Sequence, residues 1–405
     1  MGPLDLQARW RVQAAGETLN RRIAAVDLVR GLIMVIMALD HTRDYFSNIT
    51  LSPTDPVHSW PMLFFTRWIT HLCAPGFVAL AGTSVYLQRQ RGRTQGEMGK
   101  KLVLRGLWLL FVEVAVVGFG IFFTYHFHFF QVIYAIGGSM IVLAALQWLP
   151  TRWVGAYGFA VLLLHDLLHR IQPESLGHGA VAWEFLVSTG FFFKGETPWI
   201  FVMYPLLPWS GVMALGYCFG AVVGLPAERR RVRSMQLGVV ALVVFGVLRW
   251  TNWYGDSTPF RHLATKTQTA MSFLNVTKYP PSLQYLCVTL GVLLVVFAVA
   301  DWALERRWIP RALGMVEVYG RVPFFYYVLH FYLLHVLALG TLMVAMGTVH
   351  VHPGLPFFSG PQPGASFSLG VVYAIWIGVV AALYWPCKWF AGVKARRRDW
   401  WLSYL

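Results

Sequence analysis

Ten apolar runs of roughly 20 residues recur along this chain, and the loops between them alternate between strongly basic and nearly uncharged. Wound into a helix, such a run rises about 1.5 Å per residue and covers the ~30 Å hydrocarbon core of a bilayer. Within that core the backbone must satisfy its own hydrogen bonds, so only helices or closed barrels span it, and long uninterrupted apolar runs select helices. The chain therefore reads as an all-α polytopic membrane protein. Its spans fall at about 23–47, 62–88, 101–123, 129–148, 152–168, 199–223, 234–251, 281–300, 319–346 and 368–388. That leaves a tail over 1–22, one transmembrane domain over 23–390 and a basic tail over 391–405, with no internal repeat and no separate soluble domain.

Lys and Arg cluster near 89–101, 229–233, 306–311 and 388–398, whereas the alternate loops hold only Arg170, Lys194, Arg261, Lys266 and Lys278. The positive-inside rule then puts both termini in the cytosol. The same bias explains the net charge of +15 without any nucleic-acid partner. Residues 1–22 lack a short apolar h-region, so the first span is expected to be retained. The four cysteines lie in apolar runs without a CxxC pair, which indicates neither a zinc ribbon nor a disulfide framework. Asn48-Ile-Thr50 and Asn275-Val-Thr277 match the glycosylation sequon on outer loops, a short pattern that carries little weight alone.

The first span, 22–46, is of membrane length yet carries Asp27, Arg30, Asp40, His41, Arg43 and Asp44. Ionisable groups in hydrocarbon are costly and usually face a bundle interior or a water-filled cavity. Asp27 and Arg30, three residues apart near the inner surface, suit a structural ion pair. His41 lies about 21 Å further out at 1.5 Å per residue, with Asp40, Arg43 and Asp44 within a turn. A neighbouring carboxylate can orient an imidazole for general-base work. The bland alternative is a helix end with snorkelling charges and a histidine bonded to a neighbouring helix. On the second span, Arg67 and His71 share a face, His71 lies close to the depth of His41 so that the two histidines could share a cavity, and Pro75 is expected to kink the helix and free a carbonyl. Arg67 or His71 could stabilise a developing negative charge. His58, in the loop beside Trp60, sits above this region. Glu113 is a mid-span carboxylate that needs a partner, with Arg105 out of reach. Lys278 and Tyr279 precede Pro280-Pro281 at the start of the eighth span, and His330 and His335 lie in the ninth; these are candidates to line a site. No residue set has metal-ligand spacing, so no metal is expected.

The segments AVDLVRGLIMVIMALDH, RWITHLCAPGFVALAGTSVYL, QVIYAIGGSMIVLAAL, YPLLPWSGVMALGY, NVTKYPPSLQYL and GRVPFFYYVLHFYLLH resemble bacterial members of the heparan-alpha-glucosaminide N-acetyltransferase catalytic-domain family, from about residue 22 to 336. More distantly, the first span looks like the R-G-x-A…H helix of O-antigen acetylase-type membrane acyltransferases, whose active-site histidine corresponds to His41. Lysosomal members carry Asn there and an active-site His in the next lumenal loop before a Trp; the nearest match is His58 with Trp60, in a longer loop. Those members also have Asp near the position of His71.

The resemblance implies transfer of an acetyl group from cytosolic acetyl-CoA to an amino sugar or glycan on the far side, in a bacterial inner membrane. Within that reading His41, Asp40, His58 and His71 are the catalytic candidates. Arg30, Arg43, Arg67, Lys278, Tyr279 and His330 are the binding candidates. Membrane lipids, acyl-CoA and the glycan are the expected partners, and a second copy of the chain is a further one. Two other classes compete. A transporter would use the same buried charges as a substrate or proton path, although no inverted repeat is visible. A haem protein ligated by His41, His71, His330 or His335 lacks any attachment signature, and a visible absorption spectrum would expose it.

Overall fold

Each apolar run has a helical counterpart in the computed structural model, which describes residues 24–308, 310–347 and 366–397 together with 399 and 402. Helix α1 spans Ala24–Phe46, α2 Pro61–Ile69 and α3 Cys73–Gln90, with a 3₁₀ turn at Thr70–Leu72 between the last two. Next come α4 (Gln95–Val112), a π-helical turn at Glu113–Val117, α5 (Gly118–Phe122), α6 (Val132–Leu146), α7 (Thr151–Leu168) and the short α8 (Ala180–Leu186). The second half holds α9 (Leu206–Val223), α10 (Ala227–Thr251), α11 (Lys266–Leu274), α12 (Leu283–Glu305), α13 (Arg311–Arg321), α14 (Pro323–Met346) and α15 (Leu369–Arg396). Among the described residues, seven helical stretches are long and apolar enough on their own to cross a membrane. Helix α1, 23 residues long, joins that class only if its ionisable residues are tolerated, and α6 is short at 15 residues. Large apolar side chains such as Phe111, Phe159, Val240 and Ile377 stay exposed on the bundle's outer faces, where a bilayer would cover them.

The helices approach closely where they present glycine. A Cβ added at Gly320 of α13 would lie 1.8 Å from the carbonyl oxygen of Asp27 in α1, and one at Gly216 of α9 would lie 2.1 Å from that of Ala79 in α3. Small residues at such crossings are the usual means of helix association in lipid, where apolar side chains gain little by leaving their surroundings.

Four boundaries differ from the sequence expectation. The apolar aromatic run at 128–130 and the one at 197–202 are strands, not helix starts: β1 (His128–Phe130), β2 (Gly190–Lys194) and β3 (Thr197–Val202) form a small sheet in the order β1-β3-β2. Strand β1 pairs parallel to β3 with His128 opposite Ile200, and β2 and β3 form a hairpin. The ninth run is cut at Val322–Pro323 into α13 and α14, because proline cannot donate the hydrogen bond that would continue a helix. Helix α15 continues to Arg396, beyond the domain end expected at 390.

The sheet marks one end of the bundle, and Arg89, Lys101, Arg321 and Lys394 mark the other, basic end. Loop 252–282 at the sheet end is held by buried groups. Arg249, 0% exposed in the last turn of α10, donates to the carbonyl oxygens of Thr258 (2.6 Å), Ser272 (2.7 Å), Phe273 (2.9 Å) and Asn275 (2.5 Å). Asp256 accepts from Thr277 N (2.9 Å), Thr277 Oγ1 (2.8 Å) and Ser282 Oγ (2.6 Å). From α7, Asp166 accepts from Leu283 N at 3.0 Å, and His165 Nε2 lies 2.7 Å from the carbonyl oxygen of Pro281. These contacts leave the segment Lys278–Tyr279 turned into the bundle.

Candidate active site

Among the described residues, two adjoining cavities open between the helices. The one at the sheet end has a volume of about 210 Å³ and is lined by Asp40, His41, Arg43, Asp44, Arg67, Thr70, Cys73, Gln131, Tyr204, Lys278 and Tyr279, among others. The one at the basic end, about 530 Å³, is lined by Arg30, Ser84, Gln88, Lys101, Arg105, Arg321 and Lys394 along one side and by apolar residues of α1, α4, α6 and α14. Phe77, Val132 and Tyr327 line both. Common to both walls, these three side chains form a septum between the two spaces.

The upper turns of α1 bring four charged or titratable groups to the sheet-end cavity because residues 40, 41, 43 and 44 fall within about one turn of each other. Arg43 bridges its neighbours, 2.9 Å from Asp40 Oδ1 and 2.5 Å from Asp44 Oδ1. Asp40 also meets Arg67 of α2 at 3.4 Å, and Arg67 donates to Thr70 Oγ1 at 2.7 Å. Lys278 is 8% exposed, and its ammonium lies 5.0 Å above the Tyr279 ring, a cation–π contact. The Tyr279 hydroxyl is 3.2 Å from that of Tyr204. Three cations, Arg43, Arg67 and Lys278, thus face two carboxylates, Asp40 and Asp44. The surplus positive charge suits a group that is negative or becomes so during reaction.

His41 has an unforeseen partner. Its Nδ1 lies 2.6 Å from Nε2 of His330 on α14, a residue 289 positions away. Phe331 stacks on the His41 ring at 4.4 Å between centroids. The carboxylate expected to orient His41, Asp40, is engaged by two guanidinium groups. His330 is fully buried and reaches the site through His41 rather than as part of the cavity lining.

The other candidates separate. His71 is buried beside the site but does not line either cavity; its ring stands edge-on to Tyr285 at 5.5 Å. The carbonyl expected to be freed by Pro75 is that of His71, since the proline has no N–H to offer it, and the Tyr285 hydroxyl donates to it at 2.8 Å. His58 is exposed in the loop before α2, with Nδ1 2.6 Å from Asp55 Oδ2. That hydrogen bond holds the Asp55 carboxyl below the usual carboxylate range. Arg30 pairs with Asp27 at 3.2 Å, as expected of an ion pair, and also donates to Ser84 Oγ at 2.9 Å on the wall of the basic cavity. His335 belongs elsewhere, stacked on Phe123 at 3.8 Å. The partner that Glu113 required is a helix end: its Oε1 accepts from the backbone N–H of Gln131, at the start of α6, at 2.6 Å. Sequence reading missed Tyr204, Gln131 and the septum, which carry no charge and so give no signal inside an apolar run.

A family model described as heparan-alpha-glucosaminide N-acetyltransferase, catalytic, matches residues 22–254. That range includes α1 to α10, with Asp40, His41 and Arg67, and stops before Lys278 and His330. No curated protein matches the chain.

Proposed function

The chain belongs to the heparan-alpha-glucosaminide N-acetyltransferase catalytic family, a family of transmembrane acetyltransferases, and from that premise we propose that it passes an acetyl group from acyl-CoA, held at the basic end, to an amino sugar or glycan in the sheet-end cavity. One observation carries the reading: a basic cavity and an acid–base cavity meet at a septum formed by Phe77, Val132 and Tyr327. The basic end is then cytosolic, in keeping with the positive-inside bias, and the sheet end faces away from the cytosol.

The larger cavity has the volume usual for small-molecule sites, about 300–1,000 Å³. Lys101, Arg105, Arg321 and Lys394 suit the phosphates of a coenzyme A moiety, and the apolar wall suits its acyl-bearing arm. The thioester carbonyl would reach the septum from one side and the acceptor from the other. His41 takes the proton from the acceptor's N–H or O–H as its lone pair attacks the thioester carbon. The resulting oxyanion is stabilised by Arg67 and Lys278. Collapse breaks the C–S bond, and the proton held on His41 leaves with the coenzyme A thiolate as thiol. No acyl-enzyme is needed in this direct route.

The test uses purified protein in liposomes with labelled acetyl-CoA and a panel of amino sugars and glycans, read by mass spectrometry. Acetylated acceptor, together with thermal stabilisation by acetyl-CoA as mass action requires, is the expected result. His41→Ala should lower turnover by about 10²–10⁴-fold, whereas His58→Ala should leave it within about threefold. No stabilisation at millimolar acetyl-CoA and no transfer would overturn the reading. Loss of turnover in His58→Ala with His41→Ala near normal would move the base to the loop.

A further inference from the structure

His330 contributes nothing to the cavity wall, yet its imidazole occupies a defined position in a hydrogen-bonded chain. Its Nδ1 is 2.5 Å from the carbonyl oxygen of Tyr327 and 3.3 Å from that of Tyr326, one turn back on α14. A carbonyl oxygen only accepts, so Nδ1 of His330 carries the hydrogen. A neutral imidazole has one N–H, which leaves Nε2 of His330 as an acceptor. That acceptor lies 2.6 Å from Nδ1 of His41. His41 must therefore donate from Nδ1, and its own lone pair is on Nε2.

The geometry points to His330 as the positioning residue that fixes the tautomer and ring orientation of His41, so that His41 meets the acceptor with a basic Nε2. The inference rests on the acyltransferase reading for its kinetic consequence, but its structural content is a tautomer that can be observed without turnover. An orienting partner on the far nitrogen is the general requirement of a histidine base. Here that partner is a second imidazole backed by a helix carbonyl, while the nearby carboxylate Asp40 is occupied by Arg43 and Arg67. The two histidine rings lie 4.9 Å apart and inclined by 20°, and Phe331 closes on both at 4.4 and 4.3 Å, which restricts the swing of either ring.

Three measurements test it together. The ¹⁵N shifts of labelled wild-type protein should show His41 protonated at Nδ1 and unprotonated at Nε2, assigned by comparison with His41→Ala. His330→Leu, which keeps bulk but offers no acceptor, should lower kcat by about a hundredfold or more while KM for acetyl-CoA stays within about twofold. His330→Gln, whose Oε1 can accept from His41, should recover kcat to within about tenfold of wild type. The inference is overturned if wild-type His41 carries its proton on Nε2. It is overturned equally if His330→Leu turns over normally, or if folded His330→Gln, still stabilised by acetyl-CoA, is as inactive as His330→Leu. Absence of acetyl transfer by the wild type would instead defeat the acyltransferase reading, and the ¹⁵N result would still decide the tautomer.

Discussion

Replacing Arg249 by methionine should loosen one loop of the molecule and leave the rest in place. The guanidinium of Arg249 holds four backbone carbonyls drawn from two parts of loop 252–282, at 2.5 to 2.9 Å. Methionine keeps a similar apolar stem and offers no donor. A hydrogen bond from a charged donor is worth about 1.5–3 kcal/mol net, and an orphaned buried acceptor costs about 1–3 kcal/mol. The Ser272 bond is the fully buried one, and water can reach the other carbonyls once the loop shifts. The loss is therefore nearer about 3–5 kcal/mol than the sum of four bonds. At 1.4 kcal/mol per decade, amide hydrogen exchange across 252–282 should accelerate by about two to three and a half orders of magnitude, up to the limit set by the loop's own stability. Exchange in α1, α3 and α9 should stay unchanged. Because Asp256 and the loop together set Lys278 and Tyr279 in the sheet-end cavity, kcat should fall. Acetyl-CoA should still stabilise the protein, since its cavity is built by other elements. A folded Arg249→Met protein whose loop exchanges within about threefold of wild type would refute this assignment of the loop's stability to Arg249.

Lys278→Met should lower kcat by about 10–100-fold with acetyl-CoA affinity unchanged, measured by steady-state kinetics and thermal-shift titration, because it removes an ammonium aimed at the developing oxyanion; equal activity would remove Lys278 from the chemistry. The double change Lys101→Ala, Arg105→Ala should weaken acetyl-CoA binding by about tenfold or more, with a smaller salt dependence than wild type; unchanged titration curves would place the phosphates elsewhere. Gly320→Ala should cost more than about 3 kcal/mol of stability, since its Cβ would lie 1.8 Å from a backbone oxygen and no rotamer can relieve it. Gly314→Ala, on the same helix with nothing within 4 Å, should be neutral or slightly stabilising, and thermal melts of the pair separate helix approach from helix propensity.

Apolar length was enough to find the long helices, because a bilayer imposes a common period and a similar span length on them, whereas the short α8 and α11 fall in segments that read as loops. It failed at 128–130 and 197–202, where short aromatic and branched runs read the same whether they enter a helix or a strand. The charged end of α1 was legible because six ionisable residues in one apolar span have no cheap alternative to a polar site. Asp40 and Arg67 met, and Lys278 joined them, whereas His71, expected at the depth of His41, does not line the shared cavity. The pairing of His41 with His330 was not legible, since tertiary packing alone brings residues 289 apart within 2.6 Å. Glu113 shows the complementary limit. A search for a basic side chain could not find its partner, because that partner is a backbone N–H at a helix start.

The septum of Phe77, Val132 and Tyr327 has a consequence for the cell as well as for the substrates. Two wet cavities entering one bundle from opposite ends would, if joined, make a wire along which protons run down the membrane potential. Each elementary charge that crosses dissipates about 2.3 kcal/mol per 100 mV. Two rings and a branched aliphatic side chain, common to both cavity walls, would interrupt that wire. A two-carbon acyl group can pass such a septum as a neutral fragment handed between nucleophiles, whereas a hydrated ion cannot. On the acyltransferase reading proposed above, the bundle would then export chemistry while remaining an electrical insulator.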